Sequence, residues 1–189
     1  MSTPKPGKQY SSSILAPPLD TSDRLAKISH FYHQEAERCA RGRAYLAACV
    51  LAAAALEAIL LSMCYIEDRK VRSTSVYKRR SFRSKRNRFL EFSLFQLIEV
   101  AAELNWISRK EIKLDRRKTT LKELMHGVRN TRNQIHPGVW AKEGGPHKVY
   151  RRTYAFVYDV FDITREWLLQ GVELSIRQQM HREGILIKD

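Results

Sequence analysis

Residues 128 to 140, VRNTRNQIHPGVW, place two arginines, two asparagines and a histidine close together. The candidates for chemistry are Arg129, Asn130, Arg132, Asn133 and His136. An imidazole titrates near neutral pH and can act as a general acid or base, and a guanidinium binds phosphate oxygens in a bidentate manner. Two interpretations are open: a site for acid–base chemistry, or the solvated end of a helix.

The stretch continues a predicted helix that opens with a capping box of Thr120 and Glu123. At about 100° per residue, one face of this helix collects the apolar residues Leu121, Leu124, Val128 and Ile135. Relative to Val128, both arginines and the histidine lie within about 40° to 100°, Asn133 lies near 140°, and Asn130 faces away near 200°. Because a solvated face would lie opposite the core, this placement predicts a polar site at a helix–helix or subunit boundary.

A second candidate is the run from 69 to 88, RKVRSTSVYKRRSFRSKRNR, which contains ten cationic residues and no acid. These are Arg69, Lys70, Arg72, Lys78, Arg79, Arg80, Arg83, Lys85, Arg86 and Arg88. They supply most of the chain's net charge of +14. Such a run predicts contact with a polyanion, and Tyr77 and Phe82 could stack on bases. The alternative is a solvated loop.

The rest of the chain predicts an all-α protein, a bundle of about five helices. Apolar residues recur at helical spacing from about Ser22 to Arg38, from Ala44 to Ile66, after a capping box of Ser93 and Gln96, and in the helix containing the arginines. A C-terminal stripe adds Tyr150, Tyr154, Val157, Phe161, Leu168 and Val172. Residues 1–20, rich in Pro and Ser, are predicted to form a mobile tail. Residues 21–189 are predicted to form one helical domain with a basic insertion loop at 69–88.

The apolar run from 44 to 66 is long enough to cross a bilayer. It is rich in Ala, however, and carries Glu57, whose insertion would cost about 2.5 kcal/mol or more. We therefore expect a buried helix and no membrane span. The odd number of cysteines, Cys39, Cys49 and Cys64, predicts reduced, buried thiols and a cytoplasmic protein.

Metal and cofactor sites are not predicted. His30 and His33 could share a metal with Glu37, but no further His or Cys completes a ligand set. The sequence contains no Gly-rich phosphate-binding loop.

The segment RNTRNQIHPG, after an earlier Ala-rich helix carrying AAALE, resembles the HEPN domain. The hallmark of that all-α, nucleic-acid-associated and nucleotide-associated fold is an Arg followed by a polar residue, with about four to six residues between the Arg and a His. Arg129, Asn130 and His136 match it, with six residues between the Arg and the His. Arg132 and His136 have only three between them, which is shorter than the hallmark and similar to related helical families that end in Arg-Asn-x-x-His-Pro. The stretch SLFQLIEVAAELNWIS adds to the similarity.

The resemblance implies a homodimer and, in active members, a metal-independent endoribonuclease in which the RNA 2′-OH is the nucleophile. His136 would be the general acid or base, and Arg129 or Arg132 would neutralise charge on the phosphoryl oxygens. Family spacing favours Asn130 as the orienting residue, whereas the helical wheel favours Asn133. Such a protein would be a toxin or defence effector that acts on RNA and is controlled by an antitoxin or regulatory protein.

Many HEPN-like domains lack catalysis, so the resemblance is also compatible with an adaptor or dimerisation module. Such a module would bind nucleic acid or an acidic protein through the basic run. In that case the motif could be structural, with Glu57 paired to Arg129 or Arg132.

Overall fold

The computed structural model describes residues 18–80, 88–114, 117–134, 139, 142 and 149–182. Helices dominate this part of the chain, which confirms the predicted all-α bundle. The long helices are α1 (Pro18–Arg41), α2 (Tyr45–Ile66), α5 (Leu94–Glu103), α6 (Leu121–Gln134) and α7 (Arg151–Arg182). Between α2 and α5 lie the short helices α3 (Asp68–Ser73) and α4 (Ser75–Lys78) and a 3-10 turn (Arg88–Glu91). Because α1 begins at Pro18, the predicted tail ends earlier than expected, and residues 1–17 lie outside the described residues.

Helix α2 is the centre of the bundle, in contact with α1, α5, α6 and α7. The small alanine side chains of α2 allow α1 to pack closely along it. Two serine hydroxyls also join the two helices by hydrogen bonds at two points along their length. Ser29 Oγ donates to the Ala55 carbonyl oxygen, and Ser62 Oγ donates to the Ser22 carbonyl oxygen, each at 2.9 Å. Since both bonds are buried, they satisfy polar groups that would otherwise oppose the packing.

By length and composition α2 could also cross a membrane, with a mean hydropathy of 2.2 in its most apolar window. In the structure 61% of that window is buried inside the protein. Burial against the neighbouring helices is a sufficient reason for its apolar composition. Cys49 and Cys64 are buried there as free thiols, and burial raises the pKa of Cys49 to about 11.

Both predicted capping boxes are present. Ser93 Oγ accepts from the Gln96 backbone N–H at 3.4 Å, and the Gln96 side chain accepts from the Ser93 N–H at 3.0 Å. Thr120 Oγ1 accepts from the Glu123 N–H at 3.3 Å, and the Glu123 carboxylate accepts from the Thr120 N–H at 2.8 Å. These local bonds set where α5 and α6 begin.

A β-hairpin that the sequence pattern did not predict leads directly into α6. Strands β1 (Glu111–Leu114) and β2 (Arg117–Thr120) are antiparallel, with Glu111 opposite Thr120 and Leu114 opposite Arg117. The alternation of polar and apolar residues in EIKL is the signal that could have revealed it. The hairpin ends at Thr120, the N-cap residue of α6, so it fixes the start of the helix that carries the motif.

Helices α6 and α7 pack closely at Gly127. A Cβ atom at this position would lie 2.8 Å from Phe156 Cζ, so only glycine allows this approach without movement of the ring. In the predicted C-terminal stripe, Val157, Phe161 and Leu168 are buried and Tyr154 is half-buried. Tyr150 precedes α7 and is exposed, and the Val172 side chain lies outside the described residues.

Candidate functional site

The motif occupies the last two turns of α6. The buried face of this helix consists of Leu121, Leu124, Met125 and Val128, as the apolar spacing predicted. Arg129 follows that face and is half-buried, whereas Asn130, Arg132 and Asn133 are exposed. His136 and the predicted core residue Ile135 lie outside the described residues. The structure therefore places four of the five motif side chains.

Arg129 is held by two neighbours. Its Nη2 donates to Asn130 Oδ1 at 2.9 Å, and its Cζ lies 5.1 Å from the centre of the Phe95 ring on α5. An arginine over an aromatic face is attracted to the ring's negative quadrupole. Its Nε is buried without a hydrogen-bond partner, and no carboxylate of the described residues pairs with the guanidinium. The result is an oriented, unneutralised positive charge.

The same contact bears on the choice between the two asparagines. Asn130 accepts a hydrogen bond from Arg129, although the helical wheel placed it away from the other candidates. Asn133, which the wheel favoured, is exposed. The flexible arginine side chain accounts for the difference, because it extends back to a neighbour whose Cβ points elsewhere.

Arg132 has a different environment. Its Nη2 lies 3.3 Å from Glu57 Oε2 on α2, and the two side chains are 43% and 24% exposed. Of the two pairings proposed for Glu57, the one with Arg132 is confirmed. The pair also explains how α2 tolerates a carboxylate in its apolar run, since a partly buried charge needs a partner.

The structure adds side chains that sequence reasoning did not select. Phe95, which supports Arg129, is 46% exposed, and the His126 ring lies 5.4 Å from its centre on the same face. His126 Nε2 lies 3.1 Å from Glu99 Oε1, and Lys122 Nζ lies 2.9 Å from the same carboxylate. Lys122, His126 and Arg129 are spaced i, i+4 and i+7, a pattern visible in the sequence as a second polar line along α6.

Glu99 connects this line to α5. Partial burial by itself would raise the pKa of Glu99, but hydrogen bonds and charge from Lys122 and His126 outweigh it and hold the pKa below the ordinary value of 4.5. The carboxylate is therefore ionised at neutral pH. It fixes the two α6 side chains on the face that also presents Phe95.

A cavity of about 340 Å³ opens beside this carboxylate. Glu99 and Lys122 line one part of it, and Arg79 and Arg109 line another. Arg79 belongs to the basic run, so the cavity connects that run with the polar line on α6. Three cations, Arg79, Arg109 and Lys122, thus line the cavity beside two acids, Glu99 and Glu103.

The basic run is a folded segment over its first half rather than the predicted loop. Residues up to Lys78 form α3 and α4, because Val71, Thr74 and Val76 are buried and anchor them. Phe82, Arg83, Lys85 and Arg86 lie outside the described residues. Because cationic residues dominate this part of the sequence, the three buried residues were not recognised as core positions.

Several cations of the basic run form ion pairs or hydrogen bonds within the protein. Lys70 pairs with Glu67 at 2.9 Å, and Arg72 and Arg88 both pair with Asp68. Arg80 donates to the Gln96 side chain and the Glu91 carbonyl oxygen. Arg69, Lys78 and Arg79 are exposed and form no carboxylate pair within the described residues. These three are the cations of the described half that are open to a polyanion.

The aromatic residues proposed for base stacking also change. Tyr77 is half-buried, and its ring lies 6.1 Å from that of Phe89 and 5.8 Å from the guanidinium of Arg88. It packs against the core instead of facing a base. Trp106 is buried and donates from Nε1 to Glu67 at 3.2 Å. Phe95 is exposed on α5, between the side chains of Arg129 and His126.

The described residues contain no group of three His, Cys, Asp or Glu side chains placed to hold a metal ion. His30 contacts Gln34 at 3.0 Å, whereas His33 packs between the rings of Tyr158 and Phe161. In comparisons with known proteins, no family model, no curated protein and no solved structure matches this chain. The assignment of function therefore depends on the geometry of these residues and on the motif.

Proposed function

We propose that this protein is a metal-independent endoribonuclease of the HEPN type, acting as a toxin or defence effector. The observation that carries the proposal is the state of Arg129. Its guanidinium is oriented by Asn130 and Phe95 and meets no carboxylate among the described residues. A fixed cation of this kind stabilises the charge that develops on a phosphoryl oxygen in the transition state.

In the proposed reaction the RNA 2′-OH gives its proton to a base, and its oxygen attacks the adjacent phosphorus. The P–O5′ bond breaks, and the departing 5′ oxygen takes up a proton. The products are a 2′,3′-cyclic phosphate and a 5′-hydroxyl, so no metal or external oxidant is needed. His136 is assigned the proton transfer because imidazole is the side-chain group that most often acts as a general acid or base. Arg129 is assigned the phosphoryl oxygens.

The polar line on α6 is assigned to RNA binding. Phe95 offers a ring on which a base can stack, and Lys122 and His126, both in contact with Glu99, lie along the same face as Arg129. The cavity beside Glu99 is lined by Lys122 of this line and by Arg79 of the basic run. An RNA strand following this surface would place a phosphate close to Arg129.

The remaining parts of the proposal follow from the motif. The active species would be a cytoplasmic homodimer in which two motifs face each other, and a toxin of this kind requires an antitoxin or regulatory protein. Arg132 is assigned a positioning role through Glu57 and not a contact with phosphate, because its charge is already neutralised.

The second candidate is a non-catalytic adaptor that binds nucleic acid or an acidic protein through the same surface. The ion pair of Arg132 with Glu57 favours this candidate, because it gives one arginine of the motif a role in the packing of α6 against α2. The two candidates agree on binding and differ on cleavage, so cleavage separates them.

The test is cleavage of end-labelled structured RNA by the purified protein in EDTA, beside His136→Ala prepared in the same way. We expect cyclic-phosphate ends with the wild type alone, and RNA binding by both proteins. Binding by both without cleavage by either would reject the enzyme in favour of the adaptor. Absence of RNA binding would reject the enzyme and the nucleic-acid-binding form of the adaptor.

One matched pair and one single substitution refine the assignment. Asn130→Ala should slow cleavage by about tenfold or more, whereas Asn133→Ala should have little effect, because only Asn130 contacts Arg129. Arg129→Lys should abolish most of the cleavage, since a lysine lacks the bidentate geometry. Equal effects of the two asparagine substitutions would contradict the role given to Asn130.

The salt dependence of RNA binding tests the surface itself. Replacing Arg69 and Lys78 with Gln should lower the slope of log K against log salt by about 0.7 for each phosphate that the protein no longer neutralises. Replacing Lys70, which is paired with Glu67, should change the slope less. If the slope stays the same in both variants, the basic run does not bind the RNA.

A further inference from the structure

A second cavity lies at the end of the bundle where the α1–α2 turn meets the start of α7. Its volume is about 540 Å³, within the range of about 300–1,000 Å³ typical of small-molecule sites. Side chains of α1, α2, the connecting turn and α7 line it. None of them belongs to the motif or to the polar line on α6.

Three arginines converge on this cavity. Arg41 ends α1, Arg43 lies in the turn, and Arg151 begins α7. Arg43 has a φ of 60°, in the left-handed region, where its N–H donates to the Ala40 carbonyl oxygen at 2.9 Å. The three come from separate parts of the sequence, so tertiary structure alone brings them together.

These arginines remain without carboxylate partners, although two acids line the same cavity. Within the described residues, Arg41, Arg43 and Arg151 form no ion pair, and the Glu37 carboxylate instead accepts a hydrogen bond from the Tyr158 hydroxyl at 2.8 Å. Elsewhere in this protein, exposed arginines such as Arg38 and Arg72 pair with an acid one helical turn away. The cavity therefore concentrates positive charge that the fold does not neutralise.

The walls between the arginines are aromatic. Tyr45, Tyr154 and Tyr158 are half-buried and line the cavity, and the rings of Tyr154 and Tyr158 are 5.6 Å apart. Burial, with the nearby charges of Glu37 and Asp162, raises the pKa of Tyr154 to about 12, so its hydroxyl stays protonated. The rings offer apolar faces, and the hydroxyl can donate a hydrogen bond.

We propose that this cavity binds a small phosphate monoester that carries a ring. Arg41, Arg43 and Arg151 hold the phosphate. The tyrosine rings pack on the ring of the ligand. Glu37 and Asp159 in the same wall repel further negative charge, which restricts the ligand to a single phosphate and excludes a nucleic-acid strand.

The test is calorimetric titration of the full chain with phenyl phosphate, beside inorganic phosphate and benzyl alcohol. We expect one molecule of phenyl phosphate per chain with a dissociation constant of about 1 mM or lower, and binding at least about tenfold weaker for either fragment. Absence of phenyl phosphate binding would overturn the proposal. Equal affinity for inorganic phosphate would overturn the assignment of the ring.

The variants use a neighbour in sequence as the control. Arg151→Gln should weaken binding about tenfold, whereas Arg152→Gln should not, because Arg152 does not line the cavity. Arg43→Asn should also weaken it about tenfold, and asparagine accepts the left-handed backbone of the turn, so the fold is retained. Equal effects of Arg151→Gln and Arg152→Gln would indicate a general charge effect and contradict the site. RNA cleavage is a separate readout, since this proposal does not depend on it.

Discussion

The ion pair between Glu57 and Arg132 gives a direct test of whether Glu57 holds Arg132 in place. In the structure the charges are 3.3 Å apart, which corresponds to a Coulomb attraction of about 5 kcal/mol at an effective dielectric constant of about 20. Loss of hydration and of side-chain entropy cancels most of that attraction. Because the side chains are 24% and 43% exposed, the pair lies nearer to a surface pair than to a buried one. We expect a coupling energy of about 1 kcal/mol.

The assay is a double-mutant cycle with Glu57→Gln, Arg132→Gln and the double variant, measured by urea unfolding. A coupling of about 1 kcal/mol corresponds to a difference of about 2–4 °C in melting temperature for a domain of this size. Salt should reduce the coupling, because the arginine is partly exposed. A coupling below about 0.3 kcal/mol would refute the view that Arg132 is held by Glu57.

The same variants separate positioning from catalysis. If Arg132 acts only through Glu57, the two single substitutions should lower RNA cleavage by similar factors. A much larger loss with Arg132→Gln than with Glu57→Gln would show that Arg132 contacts the phosphate and that the division of roles between Arg129 and Arg132 is wrong.

Three further predictions concern the scaffold of the site. Glu99 has a lowered pKa in the folded state, so its ionised form contributes stability above the ordinary pKa of 4.5, and this contribution is lost as the pH falls through the folded-state pKa. The free energy of unfolding should therefore be higher for the wild type than for Glu99→Gln at neutral pH, and this difference should disappear in strong acid. Unchanged differences across that pH range would contradict the role of Glu99. Ser62→Ala should cost about 1 kcal/mol in chemical denaturation, because it leaves the buried Ser22 carbonyl without its donor from α2, and unchanged stability would contradict this bond. Ser93→Ala should lower stability by about 1 kcal/mol through loss of the capping box, whereas Ser93→Asp should retain it.

Much of the architecture depends on short-range patterns and was readable from the sequence. The capping boxes at Ser93 and Thr120 use residues three positions apart, and both are present in the structure. The apolar spacing of Leu121, Leu124 and Val128 likewise predicted the buried face of α6. Such features follow from local backbone geometry, so neighbouring residues are sufficient to determine them.

The hairpin and the basic run were harder to read because their signals are weak or masked by charge. Each strand has four residues, too few for a strong alternating pattern. In the basic run, Val71 and Val76 anchor two short helices, but ten cations dominate the composition around them. Acids that precede the run, Glu67 and Asp68, neutralise part of its charge.

The sequence by itself determined the long helices, the apolar face of α6 and the residues of the motif. It could not distinguish Arg129 from Arg132, because their partners, Phe95 and Glu57, belong to different helices far away in the chain. Tertiary structure alone gave Arg132 a carboxylate partner and left Arg129 without one among the described residues. It also brought Arg41, Arg43 and Arg151 to one cavity, since which charges meet depends on how helices pack and not on the order of residues within them.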